Sequence, residues 1–321
     1  MISPILGLHH VTATVDDAQA DLDFCAGVLG LRFVKRTVNF DNHHVYHFYY
    51  GDERGTPGTI WTTFPYKGRG VRVGTKGTGQ LTVTSFSVPR GSSSFWQARL
   101  AASGVPVDEQ TSAFGESALR CADPSGLVFA LVESDDARTP WISDAVSELV
   151  AIRGLHSVTM TVANRGPSIA FLRDVLGFET VNQSRSCTRM GVSGGLAGRC
   201  IDVLEVPDGP RAVNGLGTVH HVAMAVASGQ EQLQMRHELV RLGLPVTEVL
   251  DRQYFTSIYF REPGGVLFEI ATTGPGFTAD EPLDSLGCAL KLPPWEEAAR
   301  PEIESGLAPI AVPVPLSHAR P

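Results

Sequence analysis

Two His-His-Val segments and one acidic residue inside an apolar run are the parts of this chain best suited to chemistry. His9-His10-Val11 lies near the start, His220-His221-Val222 lies late, and Glu269 interrupts Val266-Leu-Phe-Glu-Ile-Ala271. That last run reads as a largely buried strand, where an unpaired carboxylate is costly. Glu269 therefore needs a partner or a metal. His10, His221 and Glu269, on three strands, form a set of two histidines and one carboxylate, which leaves coordination positions open on Fe(II).

These residues stand out because they break an internal repeat. Gly7-Leu-His-His-Val-Thr-Ala-Thr-Val15 recurs 147 positions later as Gly154-Leu-His-Ser-Val-Thr-Met-Thr-Val162. Val28-Leu-Gly-Leu31 recurs at the same offset as Val175-Leu-Gly-Phe178. Each copy runs from a strand through a polar start (Asp16-Asp17; Asn164-Arg165) into an amphipathic helix ended by Gly30 or Gly177. Glycine just past a helix supplies the left-handed residue that ends it. A second pair, 139 positions apart, matches Gly104-Val-Pro-Val107 with Gly243-Leu-Pro-Val246, and Asp123-Pro-Ser-Gly-Leu-Val-Phe-Ala130 with Glu262-Pro-Gly-Gly-Val-Leu-Phe-Glu269. Each of these opens with an alternating strand (79–88; 217–226) and a helix (about 93–103; about 229–242), and its Pro-Ser-Gly or Pro-Gly-Gly turn feeds a last buried strand.

Four strand–helix–strands modules result, at about 7–65, 79–133, 154–207 and 217–273. The expected organisation is one pair within 1–140, a second within 150–285 and a linker near 135–150. A tail, 286–321, is expected to pack on the body through Leu292 and Trp295. Within this frame His10 aligns with Ser157, and Glu269 with Ala130.

Composition narrows the class. The 321 residues are 43% hydrophobic and 19% charged, as in a globular chain of two domains at about 150 residues each. The formal charge of −8 is spread without long single-sign runs, which argues against nucleic-acid or membrane partners. The start carries no basic segment of a signal peptide, and no apolar run approaches the roughly 18 residues that span a bilayer. Five widely spaced cysteines suggest neither a disulfide framework nor a zinc ribbon, so a cytoplasmic location is expected. A homo-oligomer is compatible with all of this but not specified by it.

Other candidates carry less. Gly191-Val-Ser-Gly-Gly195 fits G-x-S-x-G, but a strand-like segment follows Ser193 where a nucleophile elbow needs a helix. The glycine-rich stretch 68–79 lacks a phosphate-loop frame and reads as a mobile loop. His43, His44 and His47 lie in an alternating strand that turns His44 and His47 to opposite faces, which speaks against a metal role for that group.

Paired modules of this kind resemble the vicinal oxygen chelate superfamily, which includes glyoxalases, bleomycin-resistance proteins and extradiol dioxygenases. More closely, Leu8-His-His-Val-Thr12, Phe33-Val-Lys-Arg-Thr37, Gly55-Thr-Pro-Gly-Thr59, Thr62-Thr-Phe-Pro65, Tyr254 to Tyr259 and Pro263-Gly-Gly-Val-Leu-Phe-Glu269 are similar to ring-cleaving dioxygenases acting on hydroquinones. The similarity runs from about residue 7 to Leu290-Lys-Leu-Pro-Pro-Trp295. It implies an α+β fold of four βαβββ modules in two domains, and a non-haem Fe(II) enzyme (Mn(II) being the other metal) of aromatic catabolism. The implied partners are O2 and a small hydroquinone or catechol. It further implies that His10, His221 and Glu269 bind the metal, and that Thr12, His220, Arg252, Tyr259 and His9 line or support the pocket. Strand parity supports Thr12 but turns His9 and His220 away from their neighbours.

Two rivals share the scaffold. A glyoxalase-like isomerase or lyase usually gives its metal more protein ligands, and Ala130 at the second carboxylate position speaks against it. A non-catalytic resistance protein lacks the metal set. For His10 and Glu269 to share one ion, modules one and four must meet around it and modules two and three form a metal-free half. His156 lies one residue out of register and does not replace the missing ligand.

Overall fold

The computed structural model describes residues 3–312, so residues 313–321 of the expected tail lie outside the described residues. Module one contributes β1 (Gly7–Val15), α1 (Ala18–Leu22), β2 (Arg32–Asn39), β3 (Asn42–Gly51) and β4 (Ile60–Pro65). Module two contributes β5 (Gln80–Val88), α2 (Ser93–Ala102), β6 (Val107–Thr111), β7 (Ser117–Ala122) and β8 (Val128–Glu133). Module three supplies β9 (Gly154–Val162), α3 (Arg165–Asp174), β10 (Glu179–Gln183), β11 (Cys187–Gly191) and β12 (Cys200–Glu205). Module four supplies β13 (Thr218–Val226), α4 (Gly229–Arg241), β14 (Leu250–Asp251), β15 (Thr256–Arg261) and β16 (Leu267–Thr272). This is the expected α+β architecture of four βαβββ modules.

The strands form two eight-stranded sheets, ordered β14-β15-β16-β13-β1-β4-β3-β2 and β10-β11-β12-β9-β5-β8-β7-β6. Each sequential pair, 1–140 and 150–285, thus gives one module to either sheet. At the centre of each sheet the opening strands pair antiparallel, β1 with β13 and β5 with β9. Each opening strand is flanked in parallel by the last strand of its own module. The central strands are buried on both faces. Val11, Ala13 and Val15 of β1 join the core under the helices, while His10, Thr12 and Thr14 face a cavity, as strand alternation requires.

The local signals work where they have a mechanism. Ser228 and Glu231 form a reciprocal capping box at the start of α4. Gly30 and Gly177 take φ of +69° and +70° just past their helices. In module one, however, the helix is α-helical only over Ala18–Leu22. It widens to a π-helical stretch, Asp23–Val28, that carries Phe24 and Cys25 into the core.

The stretch 68–79 is not a free loop. Gly74 N–H donates to Leu216 O at 2.9 Å, and Thr75 and Thr78 N–H donate to Val213 O and Pro210 O at 2.8 Å each. The linker between modules one and two is therefore zipped to the linker between three and four. Its glycines serve close approach, since a Cβ on Gly77 would meet Pro210 O at 2.0 Å. In the tail, Leu292 is buried, and the half-exposed Trp295 packs edge-on against Phe40 with ring centres 5.6 Å apart.

Candidate metal centre

His10 on β1, His221 on β13 and Glu269 on β16 come together on three adjacent strands. All three are buried, Glu269 completely. His10 Nε2 lies 3.2 Å and His221 Nε2 2.8 Å from Glu269 Oε2, and the two Nε2 atoms are 3.2 Å apart. Ser257 Oγ donates to Glu269 Oε1, but among the described residues buried Oε2 has no hydrogen-bond partner. The imidazole Nε2 atoms reach it at ion-pair distance. Three electron-pair donors thus converge on one point. Bonds of about 2.1 Å to one ion, meeting at right angles, separate neighbouring donors by about 3 Å, which is the spacing found. A divalent cation fits this set. Burial pushes the Glu269 carboxyl up, but His10 and His221 beside it prevail and hold it well below the usual carboxylate range. Burial lowers His221.

The parity objection to His9 and His220 fails for a structural reason. Leu8 and His10 pair with consecutive residues of β13, so His9 is the extra residue of a β-bulge. Thr12 and Ala13 pair with His221 and Val219, which makes His220 the bulged residue of the opposite strand. A bulge turns two successive side chains toward one side. His9 Nδ1 then meets His10 Nδ1 at 2.8 Å, and His220 Nδ1 meets His221 Nδ1 at 2.8 Å. Each ligand ring has its far nitrogen engaged, leaving Nε2 toward Glu269. Burial, with the neighbouring histidine, lowers His9 and His220 to about 3. His220 lines the cavity, whereas His9 packs behind His10 against Phe255, 4.9 Å between ring centres.

The cavity measures about 440 Å³ and is lined by His10, Thr12, His220, His221, Arg252 and Tyr259 among others. Tyr259, in register with Glu269, stands with its ring 5.5 Å from that of His221. Arg252 Nε donates to Tyr259 OH at 3.2 Å. The same guanidinium reaches Asp41 at 3.0 Å, joining the β14–β15 loop to the β2–β3 turn. The structure therefore brings six of the eight sequence-derived residues to the cavity wall, with Glu269 buried against the two ligand imidazoles and His9 packed behind His10.

Parity arguments about the 43–47 histidines missed the far wall. His43 pairs with Glu296 of the tail at 2.8 Å, and His44 is exposed. His47 is no ligand, yet it lines the cavity. Tyr49 OH and His47 Nδ1 are 2.9 Å apart, His47 Nε2 and Thr62 Oγ1 are 2.8 Å apart, and Thr62 donates to Thr12 at 3.0 Å. Burial, with the charges of His10 and His221, holds His47 well below the ordinary histidine range. The available signal was alternation, which puts His47 and Tyr49 on one face of β3.

A sheet curled around a buried His₂Glu cluster, repeated in a second half that lacks it, is a metal-enzyme arrangement on a duplicated scaffold. Residues 7–131 and 154–270 both match the Glyoxalase/Bleomycin resistance protein/Dioxygenase superfamily, and the chain belongs to it. It is 44% identical over 298 residues to MhqE of Bacillus subtilis, named as a ring-cleaving dioxygenase, covering 92% of this chain and 96% of that one. It is 38% identical over 307 residues to the chlorohydroquinone/hydroquinone 1,2-dioxygenase of Sphingobium indicum, covering 92% and 94%. A crystal structure of a Bacillus subtilis protein named as a dioxygenase superposes with a TM-score of 0.92 at 41% identity, covering 96% of this chain and 98% of that one. Among the described residues no helix is long and apolar enough to cross a membrane.

Proposed function

We propose that this protein is a non-haem Fe(II) ring-cleaving dioxygenase that opens a hydroquinone- or catechol-type ring with O2, breaking it beside the hydroxylated carbon in the extradiol manner. The carrying observation is the unpartnered Glu269 Oε2 between two imidazole Nε2 atoms at the wall of a cavity lined by Phe64, Tyr49 and Phe255. The names of the relatives support the reaction class. Fe(II), or Mn(II) in its place, held by His10, His221 and Glu269, would supply a Lewis acid with open positions for a phenolic oxygen and O2.

The chain's own residues do the rest. His9 and His220 fix the ligand imidazoles through Nδ1. Phe64, Tyr49 and Phe255 pack against the substrate ring and exclude water. Tyr259 donates a hydrogen bond to the substrate oxygen, and Arg252 behind it holds negative charge as it develops, worth a few kcal/mol in a water-poor site. Thr12, which accepts from Thr62 Oγ1 at the end of the Tyr49–His47–Thr62 row, is left to donate its own hydroxyl proton to a substrate oxygen.

Anaerobic iron loading followed by an O2-electrode screen of substituted hydroquinones and catechols tests this. The expected result is one Fe per chain and O2 uptake matched by loss of the ring's absorbance. An iron-loaded protein that consumes no O2 with any of them, or that turns over methylglyoxal–thiol adducts without O2, overturns the reading.

A further inference from the structure

The second sheet encloses its own cavity, of about 190 Å³. Strand register identifies what replaced the metal set. Thr159 pairs with Val83 as Thr12 pairs with His221, and Ser85 pairs with Ala130 as Ala223 pairs with Glu269. Ser157, Val83 and Ala130 therefore stand where the other half has His10, His221 and Glu269, and their smaller side chains leave the space open. Most of the charge around it is mutually satisfied. Arg189 holds Asp202 through two bonds of 2.7 and 2.9 Å and Glu116 through one of 2.6 Å.

One cation is left over. Arg120 occupies the register position of Tyr259, opposite Ala130, and lines the cavity beside Val83, Val132 and Phe114. Among the described residues its side chain makes no hydrogen bond or ion pair; its cross-strand neighbour Asp108 does not engage it. A guanidinium with its donors unclaimed, next to a small and partly apolar hollow, matches two acceptor oxygens on a compact apolar body.

We propose that this metal-free half is a second binding site, for a small organic carboxylate of about benzoate size seated on Arg120. The site does not depend on the chemistry of the other half. Calorimetric titration of the metal-loaded full chain with benzoate tests it. Saturable 1:1 binding is expected, weakened at least about tenfold in Arg120→Gln, weakened less in Arg120→Lys, which keeps the charge but loses the planar fork, and unchanged in Arg252→Gln. Benzyl alcohol, the same body without the charge, should bind at least about tenfold more weakly. Iron content and ring cleavage should be unaffected by Arg120→Gln, which shows that the variant is folded. The proposal is overturned if benzoate binds Arg120→Gln as well as the native chain. It is equally overturned by loss of binding in Arg252→Gln, which puts the ligand in the metal-bearing half, or by no saturation at millimolar benzoate.

Discussion

In one sheet, His10 and His221 face a cavity of about 440 Å³ with Glu269 buried against them; in the other, Ser157, Val83 and Ala130 hold the same register positions beside one of about 190 Å³. Strand order and bulges are shared. His156 is the bulged counterpart of His9, and it meets Ser157 Oγ at 3.2 Å rather than a ligand ring. The difference lies in how charge is settled. The second half closes Arg189 on Asp202 and Glu116, with His156 Nε2 3.3 Å from Glu116. The first leaves a fully buried carboxylate oxygen without a hydrogen-bond donor among the described residues. Satisfied buried charge reads as structure, and the unsatisfied donor set reads as a place for an ion.

The comparison breaks most directly at Glu269. Glu269→Ala should fall from about one iron per chain to none and lose at least about a thousandfold in ring cleavage, with its melting transition preserved. Full iron occupancy in that variant would remove the basis for the contrast between halves. His10→Ala should likewise abolish iron binding, whereas His156→Ala should keep it nearly intact; metal analysis of the two variants side by side decides. Arg189→Met tests the other half. It strands Asp202, leaves Glu116 to His156 alone among the described cations, and should destabilise the fold by about 3 kcal/mol in urea titrations while iron content stays the same. Tyr259→Phe should bind iron normally and slow kcat about tenfold, since it removes one hydrogen bond in a dry site. The smallest effect is expected at Asp41. Its pair with Arg252 is solvent-facing, so Asp41→Asn should raise KM only about two- to threefold with kcat little changed.

Much of the architecture was legible because each signal has a local cause. Matching offsets exposed the four modules, and Gly30 and Gly177 mark helix ends because the left-handed backbone there demands glycine. Glu269 was visible as a carboxylate in an apolar strand. His47 and Tyr49 were not visible as wall residues, because their relevance depends on β3 lying beside β4 and across from the β14–β15 loop. Nothing local marks stretch 68–79 as paired, because its partner, 210–216, is more than a hundred positions away.

Local order along the chain is enough for the periodicities: which residues alternate to the core, where turns and helix ends fall, and which side chains break the repeat. Those depend on neighbours within a few positions and on burial costs that hold in any fold. Tertiary structure decided the rest. Pairing β1 against β13 required one bulge on each strand, and only those bulges turn His9 and His220 toward their ligand neighbours. Curling of the sheet brought Asp41 to Arg252, 211 positions apart. Register across strands and contact across a cavity are set by packing between distant segments, which no local pattern encodes.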